Sequence, residues 1–103
     1  MVKTSIVTLL AMVALSMSPM AEVRAQESFY KGQTIRLVVG LAAGGGYDLY
    51  SRVIARHLGK HIPGNPTVIV ENMTGAGSVI AANYMYRTAK PDGLTIGHIL
   101  GGL

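Results

Sequence analysis

Two glycine-rich loops, each lying between a β-branched apolar run and a segment with helical patterning, constrain the fold of this chain most. The first loop, Gly40 to Asp48, follows the run Ile35 to Val39. The second loop, Asn72 to Ser78, follows Thr67 to Glu71. A strand, a glycine loop and a helix in this order direct free backbone N–H groups and a positive helix end at one place. Two such units in a parallel sheet meet at the carboxyl edge of the strands, which predicts an anion site built mainly from backbone.

Apolar periodicity predicts five elements in the order βαβαβ. Strands are predicted at Thr34 to Val39, Thr67 to Glu71 and Thr95 to Leu100, and helices at Asp48 to about His61 and Ser78 to about Thr88. Strands that alternate with helices are typical of a parallel sheet with right-handed crossovers. The predicted fold class is therefore α/β, with a βαβαβ parallel sheet.

The first predicted helix is amphipathic. Its apolar residues fall on one side at helical spacing, namely Leu49, Val53, Ile54, Leu58 and Ile62. The other side is mainly polar, with Ser51, Arg52, Arg56 and Lys60. Asp48 is predicted as the N-cap or a first-turn residue, and Ser78 as the cap of the second helix. The β-branched run Val68 to Val70 suits a strand that is covered on both faces.

Residues 1–25 are typical of a cleavable secretory signal peptide. Lys3 gives a positive amino-terminal region, and Ile6 to Met17 form an apolar segment. That segment is shorter than the roughly 20 residues that a membrane-spanning helix needs. Val23 and Ala25 place small residues at the −3 and −1 positions before Gln26. An uncleaved anchor and a buried helix are the alternative interpretations.

Composition limits the partners of this chain. The 103 residues have a formal net charge of +4 and include no Cys. Without Cys there are no disulfides, no thiolate zinc ligands and no cysteine nucleophile. The basic residues are spread along the sequence without the clusters and interleaved aromatic residues of a nucleic-acid surface, so no nucleic acid partner is predicted. The mild positive charge favours small anions.

The loops lack nucleotide-binding fingerprints. A P-loop needs Lys and then Ser or Thr after its last Gly, whereas Gly45 is followed by Gly46 and Tyr47. The dinucleotide spacing G-x-G-x-x-G is also not met. A phosphate or carboxylate can still bind at such a helix start, and the alternative is a tight turn that needs Gly for its backbone. Tyr47, Asp48 and Ser78 are candidate ligand contacts, with loop packing or helix capping as the alternative role.

Catalysis and metal binding find little support in the sequence. His57 and His61 have the i, i+4 spacing that suits zinc, but no third ligand is apparent. His98 stands alone in the third predicted strand and is interpreted as structural. No Ser/His/Asp set and no pair of carboxylates stands out. The sequence therefore predicts a protein that is not an enzyme and that has no metal or cofactor.

The same residues carry a family signature. The stretch Phe29 to Gly97 resembles the Bug-type extracytoplasmic solute receptors, the substrate-binding subunits of tripartite tricarboxylate transporters. Four family motifs occur in order: an I-R-L-V-V strand, a P-G-G-x-x-D loop, V-E-N-x-x-G-A-G and A-x-P-D-G-x-T. They are matched by Ile35 to Val39, Ala43 to Asp48, Val70 to Gly77 and Ala89 to Thr95.

The resemblance implies part of a type II periplasmic binding protein fold, in which two α/β lobes close on a ligand. Residues 26–103 would be the amino-terminal part of the first lobe, with the second lobe absent from these residues. The implied protein is periplasmic and passes a small carboxylate to membrane transporter subunits of the tripartite tricarboxylate type. In this family the carboxylate is held by backbone amides and ordered waters in both loops. Carried over by position, the ligand contacts are Ala42, Ala43, Gly44, Gly45, Gly46, Tyr47 and Asp48, with Gly75, Ala76, Gly77 and Ser78.

This chain also departs from the family pattern. Ala43 replaces the usual Pro, and Tyr47 stands where a smaller polar residue is usual. Ser78 and Val79 replace a common Gly and a polar residue. These differences predict a less rigid first loop and a narrower pocket or a different ligand. Two other hypotheses stay open, namely a phosphate- or nucleotide-binding α/β enzyme fragment and a truncated reading frame without function.

Overall fold

The structure is a computed structural model that describes residues 2–4, 6, 25 and 29–103. The predicted signal peptide, residues 1–25, therefore lies mostly outside the described residues. Within the described residues, no helix has both the length and the apolar character needed to cross a membrane.

Residues 29–103 contain three parallel strands. They are β1 (Thr34–Val39), β2 (Thr67–Asn72) and β3 (Thr95–His98), and they lie side by side in the order β2-β1-β3. The predicted βαβαβ parallel sheet is confirmed. The bounds of β1 agree with the prediction, β2 runs one residue further than predicted, and β3 ends before the predicted Leu100.

Two helices connect the strands. Helix α1 (Gly46–Leu58) joins β1 to β2 and continues into a short 3-10 turn at Gly59–His61. Helix α2 (Val79–Arg87) joins β2 to β3 and follows a tight turn at Ala76–Ser78. The sequence placed both helices correctly, although α1 begins two residues before the predicted Asp48.

The middle strand β1 supplies most of the core. Four of its side chains are buried together with one residue of α2, and the set is Ile35, Leu37, Val38, Val39 and Ala81. Alternate side chains of a strand point to opposite faces. Leu37 lines a groove with Leu58 of α1, whereas Arg36 bonds to Tyr84 of α2. The two helices therefore cover opposite faces of the sheet.

Strand β2 is less covered than its sequence predicts. Ile69 is 41% exposed, and Val68 and Val70 are only half-buried. The prediction that both faces of this strand are covered was wrong, because β2 lies at the edge of the sheet and β1 occupies the covered position.

Helix α1 leaves part of its apolar side exposed, mainly in its amino-terminal half. Leu49 is 63% exposed and Val53 is 47% exposed, whereas Asp48 and Ser51 are buried. Ser51, assigned to the polar side by the sequence, faces the sheet because its hydroxyl bonds to His98 at the end of β3. Asp48 is held in the same way by Asn72 at the end of β2. Polar contacts at the strand ends thus fix the rotation of this helix.

A charged cluster joins the sheet to α2. The Arg36 Nε donates to Glu71 Oε1 at 2.9 Å, and a second Arg36 nitrogen pairs with the other oxygen of the same carboxylate. Arg36 Nη1 also donates to the Tyr84 hydroxyl at 2.8 Å. The hydrogen bonds from Arg36 lower the pKa of Glu71. This cluster ties β1, β2 and α2 together.

Candidate functional site

The carboxyl ends of the three strands are level. Val39, the last residue of β1, pairs with Asn72 of β2 on one side and with His98 of β3 on the other. The backbone pairing continues into the loops, because Met73 N donates to the Val39 carbonyl at 2.7 Å and Gly40 N donates to the His98 carbonyl at 3.0 Å. Both glycine-rich loops therefore leave the same edge of the sheet, as the sequence predicts.

Asp48 organises the first loop. It lies in the first turn of α1 and is only 4% exposed. One carboxylate oxygen accepts the Gly44 N–H at 2.9 Å, which closes the loop onto the start of the helix. Arg52 Nε, one helical turn away, donates to the same carboxylate at 2.9 and 3.1 Å. Because both oxygens are engaged, the main effect of Asp48 is to hold the loop in shape.

Two side chains join the loops to each other. The Asn72 amide nitrogen donates to the Leu41 carbonyl at 3.1 Å and to Asp48 Oδ1 at 2.9 Å. The Ser78 hydroxyl, which is completely buried, donates to the Gly40 carbonyl at 3.1 Å and accepts the Leu100 N–H at 3.1 Å. The two loops and the segment after β3 are thus one hydrogen-bonded unit.

Ser78 occupies the N-cap position of α2, as predicted, but its hydroxyl does not cap the helix. It has a positive φ of 75°, and its side chain makes no capping hydrogen bond to the helix. The hydroxyl is occupied by the backbone of the other loops instead. Ala76 also has a positive φ, of 48°. Left-handed conformations are uncommon for residues other than glycine and are held in place by surrounding structure, often at ligand sites.

The predicted ligand contacts fall into two groups. Most are accessible in the loops, and these are Ala42, Ala43, Gly44, Gly45, Gly46, Ala76 and Gly77, with Tyr47 and Gly75 half-buried. Asp48 and Ser78 are buried, and their polar atoms are bonded within the chain. The first helical i to i−4 hydrogen bond of α1 runs from the Leu49 N–H to the Gly45 carbonyl, at 2.9 Å. The N–H groups of Gly46, Tyr47 and Asp48 therefore have no intrahelical partner.

The electrostatics of the first loop are balanced. Hydrogen bonds from Arg52, then from the Gly44 backbone and from Asn72, lower the pKa of Asp48 from 3.8 to about 2. Asp48 is therefore ionised at neutral pH, and its charge is matched by that of Arg52. This internal pair leaves no uncompensated negative charge from Asp48 beside the α1 start.

The lowered pKa of Asp48 predicts a pH effect on stability. A carboxylate with a depressed folded-state pKa contributes stability above its unfolded value, near 3.8, and loses it as the pH falls towards 2. We expect Asp48→Asn to lower the melting temperature at neutral pH. We also expect the variant to lose less melting temperature than the wild type when the pH is lowered across this range.

Thermal melts of both proteins between neutral and acid pH measure the difference. Glu71 contributes equally to both curves, so the difference isolates Asp48. Asp92→Asn makes the same substitution at an exposed carboxylate. It therefore shows how much of the change comes from removing one negative charge, and the remainder is due to the contacts of Asp48. Parallel curves for the wild type and Asp48→Asn would contradict the assignment.

His98, interpreted from the sequence as structural, lies next to the candidate site. Its Nδ1 lies 2.6 Å from the buried Ser51 hydroxyl, and its ring packs against Tyr47 with the ring centroids 4.7 Å apart. His98 and Tyr47 line a cavity of 540 Å3 with Gly46, Tyr50 and Ile54. The predicted third strand ran on to Leu100 and placed His98 in its interior, so the sequence carried no clear signal that His98 lies at the strand end.

Metal binding has no geometric basis in the part of the chain that the structure describes. No group of three or more His, Asp or Glu side chains there is arranged to hold an ion. His57 and His61 are both exposed on or just after α1.

Comparisons with known proteins relate the sequence to two longer chains. It is 46% identical over 76 residues to "UPF0065 protein in gbd 5'region" of Cupriavidus necator, a match that covers 74% of this chain and 22% of the relative. It is 38% identical over 88 residues to a UPF0065 protein of Bordetella bronchiseptica, covering 85% of this chain and 24% of that relative. No protein-family model matches the sequence, and no solved structure matches it significantly. The chain is thus similar to UPF0065 proteins over most of its own length and spans less than a quarter of theirs.

Proposed function

We propose that this chain forms the carboxylate-binding part of the first lobe of a Bug-type extracytoplasmic solute receptor. The observation that carries the proposal is the joining of two glycine-rich loops at one edge of a parallel sheet, through Asn72 and Ser78. The UPF0065 designation of both relatives, which is the one used for the Bug family, supports it.

The chemistry of the loops suits a carboxylate. The accessible backbone from Ala42 to Gly46 lies next to the start of α1, where N–H groups without intrahelical partners and the helix dipole favour a negative charge. The Asp48–Arg52 pair is neutral as a unit and does not repel an anion. A ligand carboxylate would accept hydrogen bonds from the N–H groups of Gly46 and Tyr47. Residues Gly75 to Gly77 of the second loop would contact the same carboxylate.

The proposal also covers export of the protein, a second lobe and the transporter that receives the ligand. Residues 1–25 would direct the protein to the periplasm and be removed. A second lobe, outside these 103 residues, would close over the ligand and exclude water. The closed receptor would then deliver the carboxylate to membrane subunits of a tripartite tricarboxylate-type secondary transporter.

The polar groups at this edge favour binding over catalysis. Ser51 and His98 lie at a distance that suits a nucleophile and its base, since Oγ and Nδ1 are 2.6 Å apart. Ser51 is completely buried, however, so its hydroxyl is shielded from any substrate. The pair therefore serves to orient the His98 ring.

Calorimetric titration of the full-length protein tests the proposal. The panel consists of benzoate, succinate, citrate, inorganic phosphate and ATP. We expect at least one carboxylate to bind with a submillimolar Kd, and phosphate and ATP to give no binding heat. Binding of ATP or phosphate without any carboxylate would contradict the proposal and favour a nucleotide- or phosphate-using enzyme.

A further inference from the structure

The cavity beside the first loop has a distinct chemical character. It has a volume of 540 Å3 and is lined by Gly46, Tyr47, Tyr50, Ile54 and His98. This volume lies within the range of small-molecule sites. Four of the five lining residues present a ring or a branched apolar side chain, and the fifth, Gly46, belongs to the predicted carboxylate loop. The cavity therefore extends from the loop over a mainly flat, apolar wall.

The aromatic part of this wall is held in a fixed position. The Tyr47 and His98 rings are 4.7 Å apart at their centroids and inclined by 35°. The His98 ring is anchored from behind by Ser51, which is completely buried and lies 2.6 Å from Nδ1. A ligand ring can stack on protein rings that are already held in place, because the protein side chains do not have to become ordered when the ligand binds.

The wall lacks fixed positive charge. Among the residues that the structure describes, no Lys or Arg lines the cavity. Arg52, the basic side chain of the loop network, is engaged with Asp48 at 2.9 Å and with Asn72 at 3.2 Å, and it faces a groove on the β2 side with Arg56 and Val68. A second or third carboxylate in this cavity would lose hydration without a cation to replace it. The wall that this chain contributes thus favours a ligand with one carboxylate at the loop and an uncharged body on this side.

We propose that this cavity receives the ring of an aromatic monocarboxylate. The inference rests on the proposed function, because the ligand carboxylate occupies the first glycine loop while the ring stacks on Tyr47 and His98. Tyr50 and Ile54 of α1 cover the outer side of the ring. This arrangement gives a role to one exposed residue of the apolar side of α1, because Ile54 forms part of the ligand wall.

The test compares four carboxylates by calorimetry on the full-length protein. Benzoate and cyclohexanecarboxylate differ in aromaticity, and succinate and citrate add carboxylates. We expect benzoate to bind at least about tenfold tighter than succinate and citrate, and tighter than cyclohexanecarboxylate. We expect Tyr47→Leu to weaken benzoate binding by about three- to tenfold.

Two further variants keep the test decisive. Tyr50→Leu changes a side chain that is 69% exposed, so we expect the variant to stay folded and to bind benzoate more weakly. Tyr86→Leu, at an 88% exposed residue of α2, is the matched control and should leave the benzoate Kd unchanged. An unchanged benzoate Kd in both the Tyr47 and Tyr50 variants would overturn the inference.

The ligand panel distinguishes a failure of this inference from a failure of the proposed function on which it rests. Tighter binding of succinate or citrate than of benzoate would overturn the inference and leave carboxylate binding standing. Equal binding of cyclohexanecarboxylate and benzoate would overturn the aromatic preference. Failure of every carboxylate to bind would overturn the proposed function and this inference together.

Discussion

Replacing Gly40 with alanine is expected to destabilise the protein by about 3 kcal/mol. A methyl group on Gly40 would lie 2.5 Å from the Ser78 hydroxyl oxygen, 2.8 Å from Ser78 Cβ and 3.2 Å from Ala81 Cβ. Ser78 and Ala81 are completely buried, so neither can move aside into solvent. The new methyl also displaces the hydroxyl that bonds the Gly40 carbonyl and the Leu100 N–H. Urea denaturation of the full-length protein measures the loss.

A double-mutant cycle identifies the clash as the cause. Ser78→Gly removes both atoms that approach most closely, and glycine also tolerates the positive φ of 75° at this position. We therefore expect Gly40→Ala to cost much less in the Ser78→Gly background than in the wild type. Gly46→Ala, where a methyl group meets nothing within 4 Å, is the matched control and should change stability little. Strictly additive effects of the Gly40 and Ser78 substitutions would refute the steric explanation.

Gly45→Val is expected to abolish ligand binding while the protein stays folded. The Gly45 backbone has φ −81° and ψ 177°, an extended conformation that valine adopts readily. A Cβ at this position would lie 3.5 Å from the Ala42 carbonyl oxygen, which is an ordinary contact. The isopropyl group would, however, project at the start of α1, where the carboxylate is proposed to approach the backbone. A charge-assisted hydrogen bond is worth about 1.5–3 kcal/mol, so losing one weakens binding by roughly ten- to a hundredfold. Excluding the carboxylate from the loop removes the proposed bonds from both Gly46 and Tyr47, which is why binding is expected to be lost.

Calorimetry with the carboxylate that binds the wild type most tightly measures this effect. Circular dichroism and thermal melts show whether the variant is folded. Gly45→Ala provides a graded control, because one methyl group should reduce affinity less than an isopropyl group. Wild-type affinity in a folded Gly45→Val protein would exclude a backbone contact at this loop, and an unfolded variant would contradict the steric argument.

The accuracy of the sequence predictions differs between the sheet and the site. The bounds of β1 and the parallel order were predictable, because β-branched runs and βαβ connectivity leave few alternatives. The shared edge of the two loops followed from the same connectivity. Which loop atoms face a ligand was not predictable, because the turn at Ala76–Ser78 takes a left-handed path that non-glycine residues seldom adopt.

The rotation of α1 illustrates a prediction that periodicity alone gets wrong. Leu49, Val53 and Ile54 form an apolar stripe, and a stripe normally marks the buried side of a helix. Here Asp48 and Ser51 are buried instead, each bonded to a side chain at the end of a strand. Asn72 and His98 are distant in sequence from α1, so no local pattern predicts these hydrogen bonds.

The sequence by itself determined the α/β class, the strand order along the chain and the placing of two glycine loops at one edge, because these follow from local propensity and connectivity. The tertiary structure alone decided which polar groups of the site are hydrogen-bonded within the protein. Asp48 is bonded to Gly44, Arg52 and Asn72, and Ser78 to Gly40 and Leu100. It also brought His98 against Tyr47 and Ser51. The physical reason is that side-chain hydrogen bonds between distant residues depend on the register and twist of the assembled sheet, which local sequence does not encode.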